Sequence, residues 1–235
     1  MTLIKICGDY EKDETALVER EVKKGDTVID LGANKGHFTI IMAELVGKEG
    51  KVFAFEPDPD TFGVLKDNVK NCGYDNVILV QKAVSNTNDR RSLYRCAVDY
   101  RNNSLTEGCL YENNPKCIDV DTVRLDDYFN GYNINKENKE IINNIDFIKM
   151  DIQGGETVAL QGMIKTIEKS NNLKMLIEIW PWGLTKAGTS KEEFLDLLMK
   201  HKLQLYHLNG NRMDVFPKLQ FGSDCLDVFV KKYNE

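Results

Sequence analysis

The stretch Val28-Ile29-Asp30-Leu31-Gly32-Ala33-Asn34-Lys35-Gly36-His37-Phe38 decides how this chain is read. A short apolar run meets an acid, then a turn bearing two glycines, then an apolar segment of helical length. A strand that feeds a helix through such a turn lets backbone pass close beneath a nucleotide-like ligand. The details of the turn therefore separate one ligand class from another.

A dinucleotide sets its pyrophosphate on the helix N-terminus, and Gly-x-Gly-x-x-Gly lets the backbone approach it. Here the turn Gly32-Ala33-Asn34-Lys35-Gly36 lacks the second and third glycines of that fingerprint. S-adenosylmethionine carries no phosphate. It needs a backbone platform under its amino-acid end and carboxylates near its ammonium and ribose. Asp30, at the strand end, is expected to meet the ammonium directly or through water. Glu56 ends the next apolar strand and is expected to accept both ribose hydroxyls. Asp58 opens the following helix and reads as its N-cap.

Working outward, Glu11 to Lys24 reads as an amphipathic helix with Ala16, Leu17 and Val22 facing the core. Thr27–Leu31, Lys51–Phe55 and Asn76–Val80 are β-rich apolar runs, separated by helices over Gly36–Val46 and Asp58–Cys72. Such alternation predicts a doubly wound, mostly parallel α/β sheet. Between Ser85 and Asn144 the rhythm breaks. Arg91–Val98 and Cys117–Val123 read as strands, Leu125–Phe129 as a helical turn, and the polar Asn130–Asn144 as a loop.

The rhythm returns with strand Ile145–Met150, helix Glu156–Lys169, strand Leu173–Ile179 and helix Lys191–His201. Strands Leu203–Leu208 and Cys225–Lys231 follow with no crossover helix between them, so they must pair antiparallel. The expectation is one domain over residues 1–235, with a helical lead-in to about residue 25 and a β-containing insertion over about 85–144. Its 235 residues suffice for a sizeable core.

The 31 basic and 37 acidic side chains leave a formal charge of −6, which disfavours a nucleic-acid partner. The six cysteines (Cys7, Cys72, Cys96, Cys109, Cys117 and Cys225) lack zinc spacing and read as free thiols. His201 and His207 have no metal spacing to any other residue, and no metal is expected. Met1–Cys7 is too short for a signal peptide, and no run approaches the roughly 20 apolar residues of a membrane span. The expected location is cytoplasmic, with no membrane partner, and self-association stays open. Asn102-Asn103-Ser104 fits a glycosylation sequon, read as chance without a secretory signal.

A second constellation follows Ile148-Lys149-Met150. In Asp151-Ile152-Gln153-Gly154-Gly155-Glu156, Asp151 sits at a strand mouth beside the point where strand order reverses. It is the candidate general base. Glu156 falls in the first turn of the next helix, as a second catalytic candidate or a helix-dipole partner. Glu178-Ile179-Trp180-Pro181-Trp182-Gly183 leaves the fifth strand toward the same cleft. Glu178 and Trp180 are the candidate acceptor contacts there, with Ser104 in the insertion, although loop packing is the commoner fate of such tryptophans.

Four motifs occur in order: Val28 to Gly36, Phe55-Glu56-Pro57, Val123-Arg124-Leu125-Asp126-Asp127-Tyr128 and Ile148 to Glu156. Together, over about Gly25 to Lys231, the chain resembles the FkbM-type S-adenosylmethionine-dependent methyltransferases. The family pattern Asp-x-Glu-Gly-Ala-Glu is altered here to Gln153 and Gly155. The resemblance implies a class I methyltransferase fold, Rossmann-like, with a C-terminal antiparallel hairpin. It implies a cofactor site of Asp30, Gly32, Ala33, Asn34, Gly36, Phe38, Glu56, Pro57 and Ala83. It also implies methyl transfer to a hydroxyl of a small molecule or glycan; for that chemistry Asp151 is expected to take the proton, with Glu156 or Glu178 orienting the acceptor. Methylation of RNA or protein, a non-catalytic cofactor-binding module and a nicotinamide-dependent oxidoreductase are the alternatives.

Overall fold

The segment Thr27–Leu31 forms strand β1, and four of its five residues are buried, as a strand covered on both faces requires. The computed structural model describes residues 11–96, 103–107, 116–130, 142, 144–219 and 225–233. Ahead of β1, helix α1 (Lys12–Glu21) buries Leu17 and Val18. Val22 is also buried, whereas Ala16 is exposed and Val18 takes the core position expected of it.

Helix α2 (His37–Val46), strand β2 (Lys51–Phe55), helix α3 (Pro59–Cys72) and strand β3 (Val77–Val80) complete the first half. Asp58 caps α3 by accepting from the N–H groups of Asp60 and Thr61, and Pro59 stands where a missing N–H costs nothing. Strand β4 (Ala83–Val84), strand β5 (Arg90–Arg95) and strand β6 (Lys116–Val123) form a separate three-stranded sheet in the order β4-β6-β5. It buries a small cluster of Ala83, Leu93 and Val120. Helix α4 (Leu125–Phe129) follows it.

The second half runs through strand β7 (Phe147–Met150), helices α5 (Glu156–Gln161) and α6 (Ile164–Lys169), and strand β8 (Lys174–Ile179). Helix α7 (Pro181–Lys186), helix α8 (Lys191–Lys200), strand β9 (Leu203–Tyr206) and strand β10 (Leu226–Lys232) end the chain. The main sheet has seven strands in the order β3-β2-β1-β7-β8-β10-β9. β10 is antiparallel to both β8 and β9, and the other pairings are parallel. The order reverses between β1 and β7, which opens a cleft at their C-terminal ends.

Two expectations need correction. The helix read as Glu156–Lys169 is broken at Gly162, where a Cβ would lie 1.9 Å from the Ser85 carbonyl oxygen. Asp126 restarts it by accepting from the N–H groups of Lys165 and Thr166 at the head of α6. The tryptophan loop is the short helix α7, with Pro181 at its first position. Residues 131–141 and 143 of the expected polar loop lie outside the described residues, as do Met1–Cys7, Cys109, Asn102 and the end of the strand expected to reach Val98. Among the described residues no helix is long and apolar enough to cross a membrane.

Candidate functional site

Glycine geometry builds the floor of the site. Gly32 has φ +76, and a Cβ there would sit 2.0 Å from the Asp151 carbonyl oxygen. Only glycine lets the turn after β1 lie against the turn after β7. The Gly32 and Ala33 N–H groups both donate to the Phe55 carbonyl, at 3.1 and 3.0 Å, and tie the turn to the end of β2. Gly36 serves the helix instead, starting α2 at φ +95 with a Cβ position 2.7 Å from Leu65.

Above this floor lies a cavity of about 450 Å³, within the range of small-molecule sites. Gly32, Ala33, Asn34, Phe38, Glu56, Pro57 and Ala83 line it, together with Asp151 and Glu178. Seven of the nine expected cofactor residues thus share one cavity. Gly36 and Asp30 do not line it. Asp30 is 1% exposed beneath the turn, where Thr39 donates its hydroxyl to Oδ2 at 2.5 Å. Its Oδ1 has no hydrogen-bond partner among the described residues and lies 3.9 Å from Lys149 Nζ. Burial raises the Asp30 carboxyl above the usual aspartate range, against the pull of Lys149.

Glu56 fits the part of a hydroxyl acceptor. Asn34 N–H donates to Oε2 and Asp58 N–H to Oε1, each at 2.9 Å, so both oxygens are fixed in direction. Burial pushes its carboxyl up to about 7, with the two backbone N–H groups opposing. Each oxygen retains a lone pair for a ligand hydroxyl. The cavity size, the glycine floor and this oriented carboxylate suit S-adenosylmethionine.

Lys149 is the residue that the sequence reading passed over. It stands opposite Asp30 in the β1–β7 register, the single charge in a strand whose four residues are all buried. Its Nζ lies 3.5 Å from Asp151 Oδ2, 3.3 Å from the Gly32 carbonyl oxygen and 5.4 Å from the centroid of the Phe38 ring. Burial alone would lower its pKa, but Asp151 and Asp30, with Glu11 and Glu178, hold it above the ordinary lysine value. A lone lysine inside an apolar parallel strand was the available signal.

The second constellation divides. Asp151 reaches the cavity, with its side chain 30% exposed. Gln153 Nε2 donates to Asp151 Oδ1 at 2.7 Å and to Glu178 Oε2 at 2.8 Å, so one amide bridges two acids from neighbouring strands. Glu178 is pushed up to about 8 by burial and then by Asp151 and Asp227, which stands opposite it on β10.

Glu156, by contrast, is 1% exposed and does not line the cavity. Its Oε1 accepts from Gly154 N–H at 3.1 Å and more weakly from Ile152 N–H at 3.4 Å, pinning the turn from beneath. Gly154, at φ +95, owes its glycine to α7: a Cβ there would lie 2.7 Å from the Gly183 carbonyl carbon.

Two expected acceptor contacts also sit behind the wall. Trp180 is 8% exposed and stacks at a tilt on Trp182, with ring centroids 5.1 Å apart. Ser104 is 2% exposed and donates its hydroxyl to the Gln153 carbonyl at 2.9 Å. Asn103 and Leu105, on either side of Ser104, line the cavity instead. Among the described residues no group of three His, Cys, Asp or Glu side chains is arranged to hold a metal.

Comparison with known proteins bears on the family and the fold. Residues 30–208 match the model of the methyltransferase FkbM domain. The chain is 26% identical over 208 residues to the hexuronic acid methyltransferase AglP of Haloferax volcanii, covering 88% of this chain and 75% of that one. A 60-residue segment, 26% of this chain, is 33% identical to a protein-L-isoaspartate O-methyltransferase of Methanococcoides burtonii but spans only 30% of that relative's length. A solved structure from Clostridium thermocellum, named as an rRNA-methylase, shares the fold with TM-score 0.56 at 17% identity, over 95% of this chain and 96% of that one. With the family model covering most of its length, the chain belongs to the FkbM methyltransferase family.

Proposed function

We propose that this protein transfers the methyl group to a hydroxyl oxygen of a small molecule or glycan, with Asp151 as the general base. The observation that carries this reading is the placement of Asp151. It is a cavity-lining carboxylate at the mouth of β7, with Lys149 on one oxygen and the Gln153 amide on the other. Bound S-adenosylmethionine supplies a methyl group on a sulfonium sulfur, open to in-line attack, so the protein's main contribution is positioning.

The residues share that work by location. Glu56 accepts the ribose hydroxyls, the Gly32-Ala33-Asn34 backbone underlies the amino-acid end, and Pro57, Phe38 and Ala83 supply apolar wall. Asp30 acts through Lys149 rather than by touching the ligand. Asp151 takes the proton of the attacking hydroxyl, and Glu178 orients the acceptor. Ser104 and Trp180 shape the acceptor side from behind, and Glu156 holds the turn. Similarity to a hexuronic acid methyltransferase over most of the chain supports a sugar acceptor.

The test pairs calorimetry with a methyl-transfer assay on hexuronic acid glycosides and neutral hexosides. Wild-type protein is expected to bind S-adenosylmethionine and not NAD, and to methylate one glycoside class on oxygen. Asp151→Asn should bind the cofactor with affinity unchanged within about twofold and lose turnover by about 10²-fold or more. Near-normal turnover in that variant would remove Asp151 from the role.

A further inference from the structure

The short segment Asn103-Ser104-Leu105 touches both halves of the cavity. Ser104 exchanges backbone hydrogen bonds with Tyr94 of β5, at 2.8 and 3.1 Å, and its hydroxyl donates to the Gln153 carbonyl at 2.9 Å. Asn103 Nδ2 donates to Asp58 Oδ2 at 3.2 Å, on the side where the Asp58 N–H holds Glu56. Arg95, at the end of β5, clamps the same carboxylate with two bonds of 2.7 and 2.8 Å. The inserted sheet is therefore fastened to the cofactor side through Asp58 and to the acceptor side through Gln153.

Gln153 is held at φ +53, a conformation that side-chain-bearing residues adopt only when their surroundings impose it. From that backbone its amide donates to Asp151 and Glu178 together. We propose that Gln153 is a positioning residue for the general base and that Ser104 is its latch, so that the insertion sets the alignment of Asp151 and Glu178. This rests on the reading of Asp151 as base.

The physical need is plain. Two carboxyls this close repel when both are ionised, and one takes up a proton unless donors stand between them. An amide supplies two donors, carries no charge and does not titrate. The other titratable groups facing Asp151 are mostly acids, Asp30 on β1, Glu156 on α5, Glu178 on β8 and Asp227 on β10, with the Cys225 thiol just ahead of β10. Glu11 and Glu14 of the α1 region add to that field, and the basic groups lining the same cavity are Lys149, a half-buried His37, Lys35 and Lys82. Without the amide, the pair loses the neutral donor that holds one oxygen of each acid in line.

Gln153→Met, Gln153→Glu and Ser104→Ala are compared with wild type and Asp151→Asn. Measured are kcat and KM from pH 5 to 9, S-adenosylhomocysteine affinity by calorimetry, and folding by circular dichroism. Gln153→Met should lower kcat by about 10–100-fold and move the acidic limb of the kcat profile up by about one pH unit. Gln153→Glu places a third carboxyl in the cluster and should move that limb further. Ser104→Ala should shift it the same way by less, with S-adenosylhomocysteine affinity unchanged within about threefold in all.

A folded Gln153→Met or Gln153→Glu protein with a wild-type acidic limb overturns the positioning role. So does a loss confined to cofactor affinity. If Asp151→Asn keeps its turnover, the base assignment fails; if it is inactive while the Gln153 variants titrate as wild type, only the positioning role fails.

Discussion

Gly32 and Asp151 meet backbone to backbone: a Cβ on Gly32 would lie 2.0 Å from the Asp151 carbonyl oxygen. The two turns that form the site, one after β1 and one after β7, are thereby locked to each other. Asp151 N–H reinforces the lock by donating to the Leu31 carbonyl at 3.2 Å. Gly32→Ala must therefore displace one turn from the other and also hold a side-chain-bearing residue in a left-handed backbone. It should cost about 2–4 kcal/mol in denaturant unfolding and abolish detectable cofactor binding in calorimetry. Wild-type affinity in a folded variant would show the contact to be dispensable.

Lys149 sits between Asp30 and Asp151 and is 7% exposed. Removing one partner of a buried charge cluster leaves the others uncompensated. Lys149→Met should destabilise the protein by about 3–5 kcal/mol. Because the penalty comes from the stranded Asp30, a Lys149→Met/Asp30→Asn double variant should recover a large part of it. Strict additivity in that double-mutant cycle would disconnect the two residues.

Glu56 lines the cavity, and its carboxylate direction is fixed by the Asn34 and Asp58 N–H groups. Glu56→Gln keeps one acceptor and should weaken S-adenosylmethionine binding by about tenfold; Glu56→Ala should weaken it by about 100-fold. Calorimetry reads both values. A change below about threefold in the alanine variant would take Glu56 out of the ribose contact.

Glu156 carries a pH dependence that can be signed in advance. Burial, aided by Asp151, raises its carboxyl from the ordinary 4.5 to about 7, against backbone hydrogen bonds that pull it down. The folded protein then holds a proton that the unfolded chain releases. Its contribution is fully present below pH 4.5, declines as pH rises toward about 7, and is gone above that. Glu156→Gln removes this loss, so at pH 8 it should be more stable than wild type by on the order of 2–3 kcal/mol, and near-equal at pH 4.5. Denaturant midpoints at the two pH values test it. Since Glu156 lies outside the cavity, turnover at pH 7 should persist; a dead enzyme would return it to the catalytic machinery.

Much of this protein is legible in its primary structure because its signals are local. The buried parallel strands are continuous apolar runs, the turn after β1 declares itself by Gly32, and Asp58 is visible as a cap beside Pro59. Glu56 and Asp151 are findable because each closes an apolar strand. What stayed hidden shares a cause. Gly162 reads as an ordinary helix residue until the Ser85 backbone is packed against it, and Ser104, Trp180 and Glu156 belong to the right region but face away from the cavity. Gln153 reads as a lost carboxylate, while in the fold it is the donor that two carboxylates require.

The strand–helix rhythm, the glycine turn and the acids that end its strands follow from the sequence alone, since periodicity and turn chemistry act over a few residues. Which of those acids reach the cavity is a matter of tertiary packing. That packing slid β10 between β8 and β9, set Asp227 opposite Glu178, buried Asp30 beneath Lys149, and brought Ser104 of the insertion onto Gln153. Register, burial and side-chain direction are set by contacts between segments far apart in the chain, and no short stretch contains them.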